Sequence, residues 1–278
     1  MTEHELLTAL ARRKGRERPL AGPVEWDPGP SLPAVSPEWG LDALWERFAL
    51  ELEKLGGRPY RAATLAGARA YVVRASAEAA RRAADGSVPP ASRTETPAAP
   101  AGSGEGGQGG GGAPAARAGA RPVVVATADP AVLALGLDAA LGESGLDLAL
   151  WGSAAPDDPG AGAPEASLPA QAKHLAARAV AGITGVDWAV AETGTLLLGS
   201  GPGRGRVVSL LPPVHIALIR PSQLLPSLAE AFRRAGQALD LPSSLVLITG
   251  PSRSADIEND LSIGVHGPAA VHAVLLPE

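Results

Sequence analysis

Pro122-Val123-Val124-Val125-Ala126-Thr127-Ala128-Asp129-Pro130 opens the part of the chain that decides the fold. Val123 to Ala126 is a short apolar run without alternation, the pattern of a strand buried on both faces. Asp129-Pro130 starts a helix that continues to Leu141, with proline at the first-turn position where its missing N–H is no loss. Leu146 to Trp151 reads as the next strand. A Pro/Gly/Ala loop follows, then a helix through Gln171 to Ala181. Strands that alternate with helices predict an α/β fold with a substantial parallel sheet.

Downstream the pattern changes. Gly182 to Ile219 holds short strand-like runs at Val186 to Val190, Thr195 to Leu198, Val207 to Leu211 and Pro213 to Arg220. Short strands in series predict antiparallel hairpins beside the main sheet. Gly199-Ser200-Gly201-Pro202-Gly203-Arg204-Gly205-Arg206 reads as a hairpin loop and not as the dinucleotide fingerprint, because it joins two strands and no helix is expected after it. Pro221-Ser222 begins a helix through Leu224, Leu225, Leu228, Phe232 and Ala235.

Leu245 to Ile248 is a strand that ends at Thr249-Gly250-Pro251, and Ala269 to Leu276 is another. Between them a helical turn is expected across Arg253 to Asp260. A Gly-rich turn entering a helix leaves backbone N–H groups free for a carboxylate or phosphate, and Arg253 would add a forked contact. Asp256 and Glu258 oppose this, since their charges already complement the helix dipole. A plain connection with capping acids is the other reading.

Upstream, residues 3–14 read as a short amphipathic helix, and Arg18 to Pro37 as an extended arm with Trp26 as anchor. The arm packs as a strap on its own domain or reaches a partner. Trp39 to Leu55 is a helix whose Leu41, Leu44, Trp45, Phe48 and Leu52 share a face, closed by Gly56-Gly57. Pro59 to Ala63 is extended and Thr64 to Ala84 helical. Val88 to Ala120 is rich in Pro, Ala, Ser, Gly and Thr and reads as a linker or long surface loop. The expected organisation is a helical N-terminal region over 1–87 packed on the main domain, a linker over 88–120 and an α/β domain over 121–278.

The 278 residues are 45% apolar but only 3% aromatic, so the core is expected to be Leu, Val, Ile and Ala. The net charge of −5 gives no reason to expect nucleic acid or an anionic membrane as partner. There is no cysteine, which excludes disulfides, cysteine nucleophiles and cysteine-ligated clusters or zinc. No apolar run is long enough to span a membrane, and the acidic start lacks the apolar core of a signal peptide, so a cytoplasmic location is expected.

Three segments together resemble the lactate-utilization protein C family, whose members are single LUD domains. They are Gly182-Ile183-Thr184-Gly185-Val186-Asp187-Trp188-Ala189-Val190-Ala191-Glu192-Thr193-Gly194-Thr195, then Leu210-Leu211-Pro212-Pro213-Val214-His215-Ile216, then Thr249 to Glu258 with Gly264-Val265-His266-Gly267-Pro268. The resemblance covers about residues 121–278. The linker departs from it. The resemblance implies a NagB/RpiA/CoA-transferase-like sheet with helices on both faces. It also implies a role in oxidising L-lactate to pyruvate beside partner subunits that carry iron–sulfur clusters, with no cofactor in this chain.

The carboxylate of most interest is Glu192, at a strand end beside Thr193 and Gly194. In CoA-transferase-like folds such a glutamate can be a nucleophile; the alternative is a carboxylate bonded to turn amides. His266, flanked by glycines, is the second catalytic candidate, with Asp256 and Glu258 as neighbours in a general-base or metal cluster. No metal site is assigned. Ligand-binding candidates are Thr193, Gly194, His215, Thr249, Gly250, Ser252, Arg253, Asp256 and Glu258, for a small carboxylate or phosphate. His215 also reads as a hydrogen-bonded core histidine. Two functions follow: the non-redox C subunit of a lactate-oxidising complex, or a stand-alone transferase or ligase using Glu192.

Overall fold

The computed structural model describes residues 39–87, 121–151, 168–237, 242, 244–255, 261–263 and 267–278. All of them belong to one compact unit, Ser36–Glu278. The expected helix at 3–14, the arm at 18–37 and the linker at 88–120 lie outside the described residues.

The chain forms α1 (Leu41–Lys54), β1 (Arg58–Arg61), α2 (Leu65–Ala84), β2 (Val123–Ala126), α3 (Pro130–Leu133), α4 (Leu137–Glu143), β3 (Asp147–Leu150), α5 (Leu168–Arg178) and β4 (Ala181–Gly185). It continues through β5 (Trp188–Val190), β6 (Thr195–Gly199), α6 (Val207–Leu210), β7 (Val214–Ile219), β8 (Leu224–Leu225), α7 (Leu228–Gln237), β9 (Leu245–Ile248), β10 (Arg253–Ala255), β11 (Leu261–Ile263) and β12 (Ala270–Leu275). Local chemistry explains several boundaries. The Thr64 hydroxyl accepts the Gly67 N–H at 3.0 Å and caps α2. Asp129 does the same for α3, accepting from Ala131 N at 2.9 Å. The helix expected from Pro130 to Leu141 is broken in two, because Gly136 takes a left-handed conformation at φ +53°.

The main sheet has the order β1-β12-β7-β4-β2-β3, with every pair parallel. A second sheet has the order β8-β5-β6-β9 and contains the antiparallel pairs β5–β6 and β6–β9. Strands β10 and β11 form a separate antiparallel pair. The fold is therefore α/β with a parallel central sheet and an antiparallel section.

Several expected elements are corrected. Val207–Leu210 is a helical turn, so a short helix does follow the glycine loop. Val214–Ile219 is not a hairpin strand. It lies in the middle of the parallel sheet, buried along its whole length. Ala181–Gly185, read as the end of a helix and the start of a loop, is the fully buried strand beside it. Leu224 and Leu225 pair with β5 instead of joining the following helix. Arg253 to Ala255 is a strand, so the expected helix start at that position is absent. For Ala181–Gly185, Val214–Ile219 and Leu224–Leu225 a short apolar run is open to either structure, and long-range pairing chooses.

Alternate residues of the parallel strands face opposite cores. Val124, Ala126, Ile183, Ile216, Leu218 and Val274 pack against α2, α3 and α4. On the other face Ala217, Ile219, Val271, Ala273 and Leu275 meet Trp45, Phe48 and Leu52 of α1 and Ala189, Leu196, Leu198 and Ile248 of the second sheet. Val125 packs there against Ala176 and Val208, from α5 and α6. The outer face of the second sheet, at Val190, Leu197 and Leu225, is covered by Ala231 and Leu228 of α7.

The seat of α1 depends on Gly194. Its φ is +64°, and a Cβ there would stand 2.5 Å from Leu52 N. Gly86 has φ +73° but open space around it. Gly86→Ala is expected to cost only the left-handed penalty, about 1–2 kcal/mol, and Gly194→Ala about 1–3 kcal/mol more for the forced shift of α1. Urea unfolding midpoints measure both.

Two histidines stand on neighbouring strands. His215 is fully buried in β7, with Nε2 2.9 Å from Thr184 Oγ1 and Nδ1 without a partner. His272 in β12 has Nδ1 2.9 Å from the Tyr71 hydroxyl. Burial, and then the charge of His272, pushes His215 down to about 3. Burial, and then Arg58, pushes His272 down to about 4. Both values lie below the unfolded value of about 6.5. Each neutral ring therefore contributes stability above that pH, and the contribution is lost as pH falls towards the folded value. The two together lower the unfolding free energy by about 2 kcal/mol between about pH 6 and about pH 5. His272→Gln should remove about half of that drop in urea titrations at the two pH values; an unchanged slope would refute the assignment.

Candidate functional site

Strand β2 leads to β3 on one side of the sheet, while β4, β7 and β12 lie on the other. The switch point of the parallel sheet therefore lies between β2 and β4. A crevice forms there beyond the carboxyl ends of the strands, where open α/β sheets place ligands.

Its frame is built from four chain segments. Beyond β2, Asp129 is buried against Gly185 at the end of β4, where a Cβ would collide with the carboxylate. Past β4, Asp187 takes the Gly199 N–H and both Arg204 Nη groups, each of these at 2.9 Å. Arg204 Nε lies 3.9 Å from Asp129 Oδ2. This two-pronged pair fixes the glycine loop. The loop turns tightly at Gly201–Arg204, and Gly203 O accepts the Ala128 N–H at 3.0 Å. Trp151, just beyond β3, rests on Gly205, where any Cβ would run into the indole.

The crevice has a volume of about 1340 Å³, and its walls include Trp151, Lys173, Asp187, Trp188, Arg204 and Arg206. Among the described residues, three cations thus face one carboxylate. Among the described residues neither Lys173 nor Arg206 makes an ion pair. Both are exposed, so an anion could reach them without displacing a protein carboxylate.

The residues singled out from sequence gather elsewhere. Strand β6 runs from Thr195 to Gly199, so its far end lies about 13 Å from the crevice end at a strand rise of about 3.3 Å per residue. At that far end Glu192 is exposed, and its Oε2 accepts the Leu228 N–H at 3.3 Å, at the start of α7. Thr193, Thr195 and Thr249 form a hydroxyl chain with contacts of 2.7 and 3.0 Å. Gly194 and Gly250 lie against Leu52 and Leu55 at the end of α1. Arg253 donates to Leu55 O at 2.6 Å, and Ser252 N to Pro268 O at 2.9 Å. His215 is not part of this group. It sits under Thr184 in the main sheet, which supports the core reading. Asp256, Glu258 and His266 lie outside the described residues.

Sequence reasoning missed Asp187, Arg204, Arg206, Lys173 and Trp151. The available signal was the glycine loop with its two arginines, which was read as a hairpin connection. Gly205 is needed there because an indole lies on it, a contact made by a residue far off in sequence.

The family model of the LUD domain matches residues 45–276. The chain is 42% identical over 116 residues to lactate utilization protein C of Exiguobacterium sp., which is 40% of this chain and 50% of that protein. It is 50% identical over 91 residues to lactate utilization protein C of Halalkalibacterium halodurans, 31% of this chain and 40% of that one. For the Bacillus subtilis protein of the same name the figures are 40% over 107 residues, 37% and 45%. The chain spans about half the length of these relatives or somewhat less. A crystal structure of a DUF162 family protein from Deinococcus radiodurans superimposes with a TM-score of 0.46 at 17% identity, covering 86% of this chain and 99% of that one. With the domain match running through most of the described fold, the chain belongs to the LUD domain family.

Proposed function

We propose that this chain serves lactate utilization as a non-redox component that works with iron–sulfur partner subunits, and that it holds an anionic ligand in the switch-point crevice. The observation that carries the site is the lining, with Lys173 and Arg206 making no ion pair among the described residues beside the Asp187–Arg204 clamp. The support for the role is the shared name of its relatives.

The division of labour follows from elementary chemistry. Oxidation of lactate to pyruvate releases electrons that need a carrier. These residues include no cysteine to ligate a cluster, so in this reading an iron–sulfur carrier sits in a partner. This chain contributes binding and orientation. Lys173 and Arg206 attract the anion, Arg204 keeps the loop in shape through Asp187, and the two tryptophans limit water around the ligand.

The transferase or ligase reading draws less support. Its proposed nucleophile, Glu192, is exposed and engaged by the Leu228 N–H at 3.3 Å.

The test is co-purification of the tagged protein from its own cells, with iron analysis and lactate-dependent dye reduction on the eluate. Iron and dye reduction in the eluate are the expected result. Protein that elutes alone, iron-free and inactive on lactate overturns the role. A covalent adduct on Glu192 after incubation with an acyl-CoA would favour the transferase reading.

A further inference from the structure

We infer that the anion held in the switch-point crevice is a nucleoside diphosphate or a molecule that carries one, not lactate itself. This rests on the reading of the crevice as an anion site.

The first argument is size. The space is about 1340 Å³, larger than the roughly 300–1,000 Å³ typical of pockets for drug-sized ligands. A molecule as small as lactate would leave most of it filled with water. The second is charge. The protein as a whole carries −5, yet among the described residues this wall sets three cations against one carboxylate. Arg204 is neutralised by Asp187 in a two-pronged pair. That leaves Lys173 and Arg206 for a ligand with more than one negative charge, as a pyrophosphate has. The third is the aromatic content. Only 3% of the chain is aromatic, yet two of its five tryptophans, Trp151 and Trp188, line this one crevice. Both are half-buried. An indole is a rigid face on which a purine stacks at little cost in conformational freedom. Gly205 allows Trp151 to lie flat on the loop that carries Arg204 and Arg206. Base platform and the Arg206 cation are thereby brought side by side, although they are distant in sequence.

Calorimetric titration of the full chain with ADP, GDP, inorganic pyrophosphate and L-lactate tests the inference. ADP or GDP should bind at least tenfold more tightly than pyrophosphate, and lactate more weakly than either. Trp151→Leu should abolish the advantage of the nucleotide over pyrophosphate. Arg206→Ala, at an exposed side chain, should weaken nucleotide and pyrophosphate together by tenfold or more. If pyrophosphate binds as well as both nucleotides, or lactate binds more tightly, the nucleotide inference falls and the anion-site reading stands. If none of the four binds, both fall.

Discussion

A parallel sheet has no face that can meet water. Its strands are joined by crossovers that run over both sides, and their side chains are apolar on both. Here β4 and β7 are buried at every position. The rest of the unit is arranged to satisfy this. Helices α2, α3 and α4 close one face, while α1, the second sheet, α5 and α6 close the other. The scarcity of aromatic residues is consistent with such a design, since valine, isoleucine, leucine and alanine pack closely between layers without polar atoms to satisfy.

The second sheet is more than a cover. The chain leaves the central strand β4 at Gly185 and enters β5 at Trp188, so one short connection both ends the parallel sheet and starts the antiparallel one. Asp187 sits in that connection. Its carboxylate, tied to Gly199 and Arg204, joins the start of β5 to the end of β6 and to the glycine loop. The polar group lies where the two sheets part, and its hydrogen-bonding capacity is met within the fold. The crevice is thus a consequence of how the layers separate.

The two ends of the second sheet are chemically unlike. The crevice end carries Lys173 and Arg206, which make no ion pair among the described residues, and two indoles. The other carries glycines pressed onto α1, a chain of threonine hydroxyls, and an exposed carboxylate at the start of a helix. Motif-like sequence marks both ends. At the α1 end its demands are met by packing, because Gly194 and Gly250 allow backbone to approach backbone. At the crevice end Asp187 meets them only in part, and Lys173 and Arg206 make no ion pair among the described residues.

The sequence by itself determined the α/β class, the positions of α1, α2, β2 and β3, the hairpin β5–β6 and the lack of any cysteine. These rest on local signals: the spacing of apolar residues, a threonine or aspartate cap, a glycine past a helix end. It could not say that Val214–Ile219 lies in the middle of the parallel sheet, that Val207–Leu210 is helical, or that Arg253 begins a strand. A short apolar run reports burial but not its partner, and only pairing across the chain supplies one. The candidate site was less legible still. Glu192, Thr193 and Gly194 stood out as a motif, whereas Lys173, Asp187, Arg204 and Arg206 are ordinary in isolation. They become a site because the exit of β4, the loop after β6 and the end of β3 meet at a switch point, and convergence of that kind exists only once the tertiary structure has formed.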